Sequence, residues 1–346
     1  MSGPRHARGV WPVLGGGVVV ALAAMLPLIW SNGYAIGLLT TMFITIVLAA
    51  SWNFLLGMAG VWNFGQLALY AAGGYAAGAL MLHTSLPPAL ALVGGGLASM
   101  LLAVVVAVPT LRLFGIYTAL VTFAFAEVFR LVIVNDGSGL TGGPYGLPAI
   151  DGLFGSVAAP SAARAYYWTA LAVAVASVGA VAAIVRSPLG LALRALRDSL
   201  PYASARGVDP LRYRVAAFGL SGFLAGLAGG LYASFNGSIG PEVMGLTEMS
   251  ITVTMLVVGG LGTVMGPVLG TALLTAIEAA ISGHPAIELT ILGAILLVVV
   301  TLFPRGLAGA TSAGVDRFAA WLREEDAPVA ENEEVEQPQS AGTLIR

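Results

Sequence analysis

Apolar segments long enough to cross a bilayer recur along this chain, and they constrain its fold more than any other feature. A helix needs about 20 mostly apolar residues to span the hydrocarbon core. Hydropathy marks ten such segments, near 10–30, 36–56, 61–82, 88–111, 114–134, 166–185, 213–234, 248–262, 264–282 and 285–303. Only 9% of the 346 residues are charged, against about 25% in soluble domains. The segments are rich in Ala, Val, Leu and Gly and too long and uniform for alternating barrel strands, so the chain reads as an all-α polytopic membrane protein. The first segment, Val10 to Trp30, follows Arg5 and Arg8 but lacks a small-residue cleavage site, so it is expected to stay as the first helix.

The one strong interruption runs from Arg186 to Arg214, with six arginines and two aspartates between apolar runs. If all ten segments cross and both termini are cytoplasmic, this connector, Arg5, Arg8, Arg112, Arg305, Arg317, Arg323 and Arg346 all face the cytoplasm. Arg164 alone falls in an outer loop, and Arg130 lies near the outer end of its helix. The inverse topology would put nearly all positive charge outside, against the positive-inside bias. Residues 1–303 then form the membrane domain, with the connector at 186–214 and an outer loop at 135–165. Residues 304–346 form a cytosolic tail that is expected to be largely disordered beyond a short surface helix, and seven of the 17 acids lie in it from Glu324 onward.

Five segments per half is an odd number, so an internal repeat would be inverted across the membrane. The third and eighth segments, at equivalent places in the two halves, are the ones broken by glycine: Gly65, Gly73, Gly74 and Gly78, then Gly259, Gly260 and Gly262. Paired interrupted segments point to a translocation site, whereas each glycine alone also fits close helix packing. Asn53, Asn63 and Gln66 cluster at the first break with Tyr70 and Tyr75 beyond it. Amides and aromatics there suit a conduit for a polar organic solute, or equally hydrogen bonds between helices. Glu127 and Arg130 share a helix face and are expected to form a structural ion pair. The outer loop, dense in Gly, Pro, Asp and Ser, reads either as a docking surface for an external partner or as a cap folded over the helix ends.

Catalytic chemistry finds no footing. With no cysteine there is no disulfide, thiol nucleophile or thiolate metal site. No Ser/His/Asp grouping or His-x-x-x-His pair shares a common depth, so no catalytic residue, metal or cofactor is assigned. Lysine is absent, so the chain has no Walker-type phosphate loop, and any ATP that drives it must be bound by another chain. A net charge of −2 with no basic patch excludes nucleic acid as a partner.

Within the connector, Ser187-Pro188 is a helix start, Pro201 begins a second short helix, and Gly207 ends it. Leu193-Arg194-Ala195-Leu196-Arg197-Asp198, followed by Ala203, Ala205 and Gly207, resembles the cytoplasmic coupling segment of branched-chain amino-acid ABC importer permeases of the LivH/LivM type. The resemblance continues through Ala217 to Gly229 and through Val258 to Gly270. Thr122 to Arg130 and Leu140 to Leu147 are similar to the LivM branch in particular. The family usually carries Ser-Leu-Gly-His near the first break, where this chain has Asn63-Phe64-Gly65-Gln66.

The resemblance implies a non-enzymatic permease in a bacterial-type inner membrane, importing branched-chain amino acids or related small polar solutes. Its implied partners are a second permease subunit, identical or homologous, two cytoplasmic ATPases that bind the ATP, and an extracytoplasmic solute-binding protein. Arg194, Arg197, Asp198, Ala203 and Gly207 are the implied coupling residues. Asn53, Asn63, Gln66, Tyr70, Tyr75, Gly259 and Gly260 are the candidates for the pathway. The competing reading is a stand-alone secondary transporter or channel, for which Glu127 is the one candidate relay carboxylate deep in the membrane. A membrane enzyme is the third, and the missing catalytic grouping speaks against it.

Overall fold

The chain divides into two compact units, Met1–Gly309 and Ala310–Arg346. The structure, a computed structural model, describes residues 23–27, 32–110, 113, 115–150, 152–155, 157–281, 293–294, 297, 301 and 306–309, all in the first unit. Most of the expected first and last spans, and the whole acidic tail, lie outside the described residues.

Ten helices are described: α1 (Gly33–Asn53), α2 (Gln66–His83), α3 (Pro88–Thr110), α4 (Ile116–Val134), α5 (Ala159–Arg186), α6 (Pro188–Asp198), α7 (Leu200–Ala205), α8 (Pro210–Asn236), α9 (Leu246–Gly259) and α10 (Gly266–Ile281). Five are long and apolar enough to cross a membrane: α1 with the turn that follows it, α3, α4, α5 and α8. Helices α9 and α10 are shorter apolar helices. The third expected segment is corrected at its start. Helix α2 begins at Gln66 rather than 61, because the Asn63 side chain accepts the Gly65 N–H and holds the preceding chain in a turn. Helix α5 begins at Ala159 rather than 166, with Pro160 in its first turn where a missing N–H does no harm. Among the described residues β-pairing is limited to one antiparallel bridge, Leu147 with Ile239.

Helix α8 is the hub, packing on α1, α2 and α3. Two thirds of its apolar window is buried, against 17% for α4. The reason is glycine. A methyl group on Gly73 of α2 would overlap the Gly226 backbone of α8, and one on Gly95 of α3 would overlap the Gly73 carbonyl. Small residues let the three backbones close to contact, and dispersion replaces the hydrophobic drive that lipid does not supply. On its other side α1 packs against α5, where the Phe43 and Tyr167 rings meet edge to face at 5.3 Å.

The loop that follows α4 folds back onto the helix ends. Asp136 accepts from Ser138 N and Oγ at 2.8 and 2.5 Å and from Thr141 N and Oγ1 at 2.7 and 2.8 Å. These bonds, the Ser138 hydroxyl first, hold its carboxyl well below the usual carboxylate range. Further along, Leu147 exchanges two backbone hydrogen bonds with Ile239. Leu153 N donates to Ser234 Oγ at 2.9 Å, and Tyr166 Oη donates to Ser234 O at 2.8 Å. Tyr145 stands 94% exposed at the tip.

Candidate translocation and coupling site

The first glycine break is a buried, hydrogen-bonded turn. Helix α1 runs into one π-helical turn, Phe54–Met58, with Ala59 N donating to Phe54 O at 3.0 Å. Such turns recur at functional sites in helices. Gly60 then takes φ +69°, which a side chain would resist, and the chain passes to Gln66 without helix. Trp52 Nε1 donates to Asn63 O at 2.6 Å, and Phe64 N donates to Thr122 Oγ1 at 2.9 Å. These bonds tie the segment to α1 and α4.

Asn63 and Gln66 are 0% exposed and are joined by a hydrogen bond, Asn63 Nδ2 to Gln66 Oε1 at 2.9 Å. Gln66 Nε2 donates to Ser51 Oγ and to Ser221 Oγ, both at 2.9 Å, and Ser221 Oγ donates to Ser51 O at 2.8 Å. The amides thus tie α1, α2 and α8 together, and in this conformation they turn no polar atom toward a passing solute.

The two glycine breaks meet at Asn53. Its side chain, 1% exposed, donates Nδ2 to Thr263 O at 2.7 Å and accepts the Gly262 N–H at 2.9 Å. Helix α9 stops at Gly259, and Gly260 and Gly262 take φ +111° and +79°, so the bend depends on both glycines. Thr263 Oγ1 bonds Gly260 O and accepts from Gly266 N, restarting the chain as α10. Tyr70, 6% exposed, lies beside Tyr232 with ring centroids 5.7 Å apart. Tyr75 is 5% exposed, and its hydroxyl has no hydrogen-bond partner among the described residues.

The connector forms the two short helices that Ser187-Pro188 and Pro201 predict, α6 and α7. Gly190, Ala192, Leu193 and Leu196 are buried, while Leu191, Arg194, Ala195, Arg197 and Asp198 are exposed. Ala203 is also buried, so it packs inside the connector, and Gly207, at φ +85°, closes α7 with open space around it. Arg194 Nη2 donates to Val185 O at 3.2 Å. Arg197, its side chain 40% exposed, donates Nη1 to Gly57 O at 3.0 Å and Nε to Asp198 Oδ1 at 3.1 Å. A cavity of about 210 Å³ opens beside it, lined by residues that include Gly60, Trp62, Thr118, Leu196, Arg197 and Arg214.

Glu127 and Arg130 form a bidentate pair, with Arg130 Nε 3.2 and 3.0 Å from the two carboxylate oxygens, on the half-exposed flank of α4. No group of three His, Cys, Asp or Glu among the described residues could hold a metal. Ser51, Ser221, Thr122 and Thr263 escaped the sequence reading. Their one signal is a small hydroxyl inside an apolar run, and that signal does not distinguish a bond across helices from one to the helix's own carbonyl.

A family model described as branched-chain amino acid transport system / permease component matches residues 34–300. The high-affinity branched-chain amino acid transport system permease protein LivM of Salmonella typhimurium is 28% identical over 339 residues, covering 89% of this chain and 79% of that one. LivM of Escherichia coli matches to the same extent. LivH of Salmonella typhimurium, the permease protein of the same name class, is 30% identical over 125 residues, covering 36% of this chain and 40% of LivH. No solved structure matches.

Proposed function

The chain belongs to the branched-chain amino acid transport permease family, and from that premise we propose that it is the membrane permease subunit of an ATP-driven importer. Its solute is a branched-chain amino acid or a related small polar molecule, handed over by an extracytoplasmic binding protein. Two cytoplasmic ATPases drive it, and a second permease subunit completes the pathway. It sits in a bacterial-type inner membrane with both termini cytoplasmic, and its ten spans form two five-helix halves.

The observation that carries this reading is the connector. It is a compact pair of helices between two long spans, with one face packed on the membrane domain and Leu191, Arg194, Ala195, Arg197 and Asp198 open to the outside. That face suits a groove in an ATPase, and the lysine-free chain has no phosphate loop of its own. Asn53, Asn63 and Gln66 hold the two breaks in place, and Tyr70, Tyr75, Gly259 and Gly260 are the residues assigned to the pathway. A lone ion-coupled transporter is disfavoured, because Glu127 is the one acid in the five long spans and it is engaged by Arg130. Purification from native membranes tests the reading: the chain should carry a second permease and an ATPase with it. Isolation of an active transporter made of this chain alone would overturn it.

A further inference from the structure

The last turn of α1 is gripped from two sides by distant parts of the chain. On one side Asn53 holds both polar groups of the bend at 262–263, donating to Thr263 O and accepting from Gly262 N. On the other, Arg197 donates to Gly57 O, and its aliphatic stem covers Gly60 so closely that a methyl there would overlap it. Gly57 stands between the two, and a methyl on it would overlap the Gly262 backbone nitrogen. Residues 53–60 therefore join the connector to the second glycine break.

The chemistry at Gly57 is specific. The end of a helix leaves carbonyls without intrahelical partners and carries partial negative charge, which a cation satisfies. Arginine presents several N–H groups in a fixed fork, so Arg197 binds this carbonyl while keeping Asp198. A lysine could not hold both in that geometry. The joint also has what a moving part requires. A π-turn is a helix held one residue out of register, the bend at 260–262 turns on two positive-φ glycines, and a cavity of about 210 Å³ lies beside Arg197.

We infer that Arg197 is a positioning residue that acts within its own chain: it carries displacement of α6 through Gly57 and Asn53 to the bend at Gly260–Thr263. The inference rests on the driven-permease reading for what displaces α6. It gives Arg197, exposed beside Arg194 and Asp198, a second contact inside its own chain, a link between the connector and both breaks.

Hydrogen exchange on the purified full-length chain tests the link without any partner. The amides of Gly262 and Gly266 report it, since they donate to Asn53 Oδ1 and Thr263 Oγ1 and touch no atom of the Arg197 bond. Arg197→Met keeps the stem and removes the guanidinium. It should speed exchange at Gly262 about fivefold, the effect of one lost hydrogen bond on local opening. Gly60→Ala, which displaces the stem, should do the same, and Asp198→Ala should not. Unchanged exchange at Gly262 in the first two variants overturns the link. So does a rise spread evenly over α2, α3 and α8, which would report loss of packing. In the complex with its ATPase, Arg197→Met should raise the ATP hydrolysed per solute imported at least about tenfold, as coupling free energies of this size imply. If no ATPase accompanies the chain, the driven-permease reading fails while the exchange result still judges the link.

Discussion

Replacing Gln66 by methionine separates the two roles its position allows. Methionine is close to glutamine in volume, so the change removes hydrogen bonds without opening a large cavity. Three bonds are lost, to Asn63, Ser51 and Ser221. Side-chain bonds inside membrane proteins are worth about 0.6 kcal/mol each, which gives about 2 kcal/mol. Asn63 Nδ2 is then left without its acceptor at a site that is 0% exposed, and an orphaned buried donor costs about 1–3 kcal/mol. The expected total is a loss of about 3–5 kcal/mol, read as a shift in equilibrium unfolding of the purified chain from mild into denaturing detergent. A loss below about 1 kcal/mol, the scale of a single weak bond, would refute the reasoning, above all if the half-saturating solute concentration moved instead. That pair of results would make Gln66 a solute contact.

Three further outcomes follow from the packing and the outer loop. Gly73→Val forces a side chain into the Gly226 backbone where α2, α3 and α8 cross; it should cost about 3 kcal/mol or more and abolish a monodisperse peak in size-exclusion chromatography, and a normal peak would contradict the crossing. Asp136, fully charged in the fold, has its carboxyl depressed by the Ser138 and Thr141 bonds, so its stabilisation is whole above the unfolded value of about 3.9 and fades only as pH falls below it. Exchange of the 138–141 amides, corrected for intrinsic rate, should be unchanged from pH 7 to 5 in the parent and faster at both in Asp136→Asn; equal protection in the variant would show the loop to be held otherwise. Tyr166→Phe deletes the donor to Ser234 O, at about 1 kcal/mol, and should make the 150–155 segment more sensitive to protease, with unchanged cleavage the contrary result.

The membrane class and the connector were readable because each rests on a local signal. Long uncharged runs specify spans, and Ser187-Pro188, Pro201 and Gly207 punctuate two short helices. The two glycine breaks were readable as places but not as neighbours: Asn53 and Gly262 lie 209 positions apart, and nothing in either stretch announces the bond between them. Arg197 is another such case: it is exposed like Arg194 and Asp198, and nothing in its sequence context announces its bond to Gly57, 140 positions away. The amides of Asn63 and Gln66 were legible as important because polarity inside a span is costly. Only the fold could show that Asn63 bonds Gln66 and that Gln66 bonds Ser51 and Ser221 on α1 and α8.

The most direct test of the driven-permease account is uptake of labelled L-leucine into vesicles reconstituted with the purified complex and its binding protein. Uptake should require ATP on the ATPase side and the binding protein on the other, and Arg197→Met should keep hydrolysis while losing accumulation. Accumulation that persists without ATP and follows an imposed proton or sodium gradient would contradict the account.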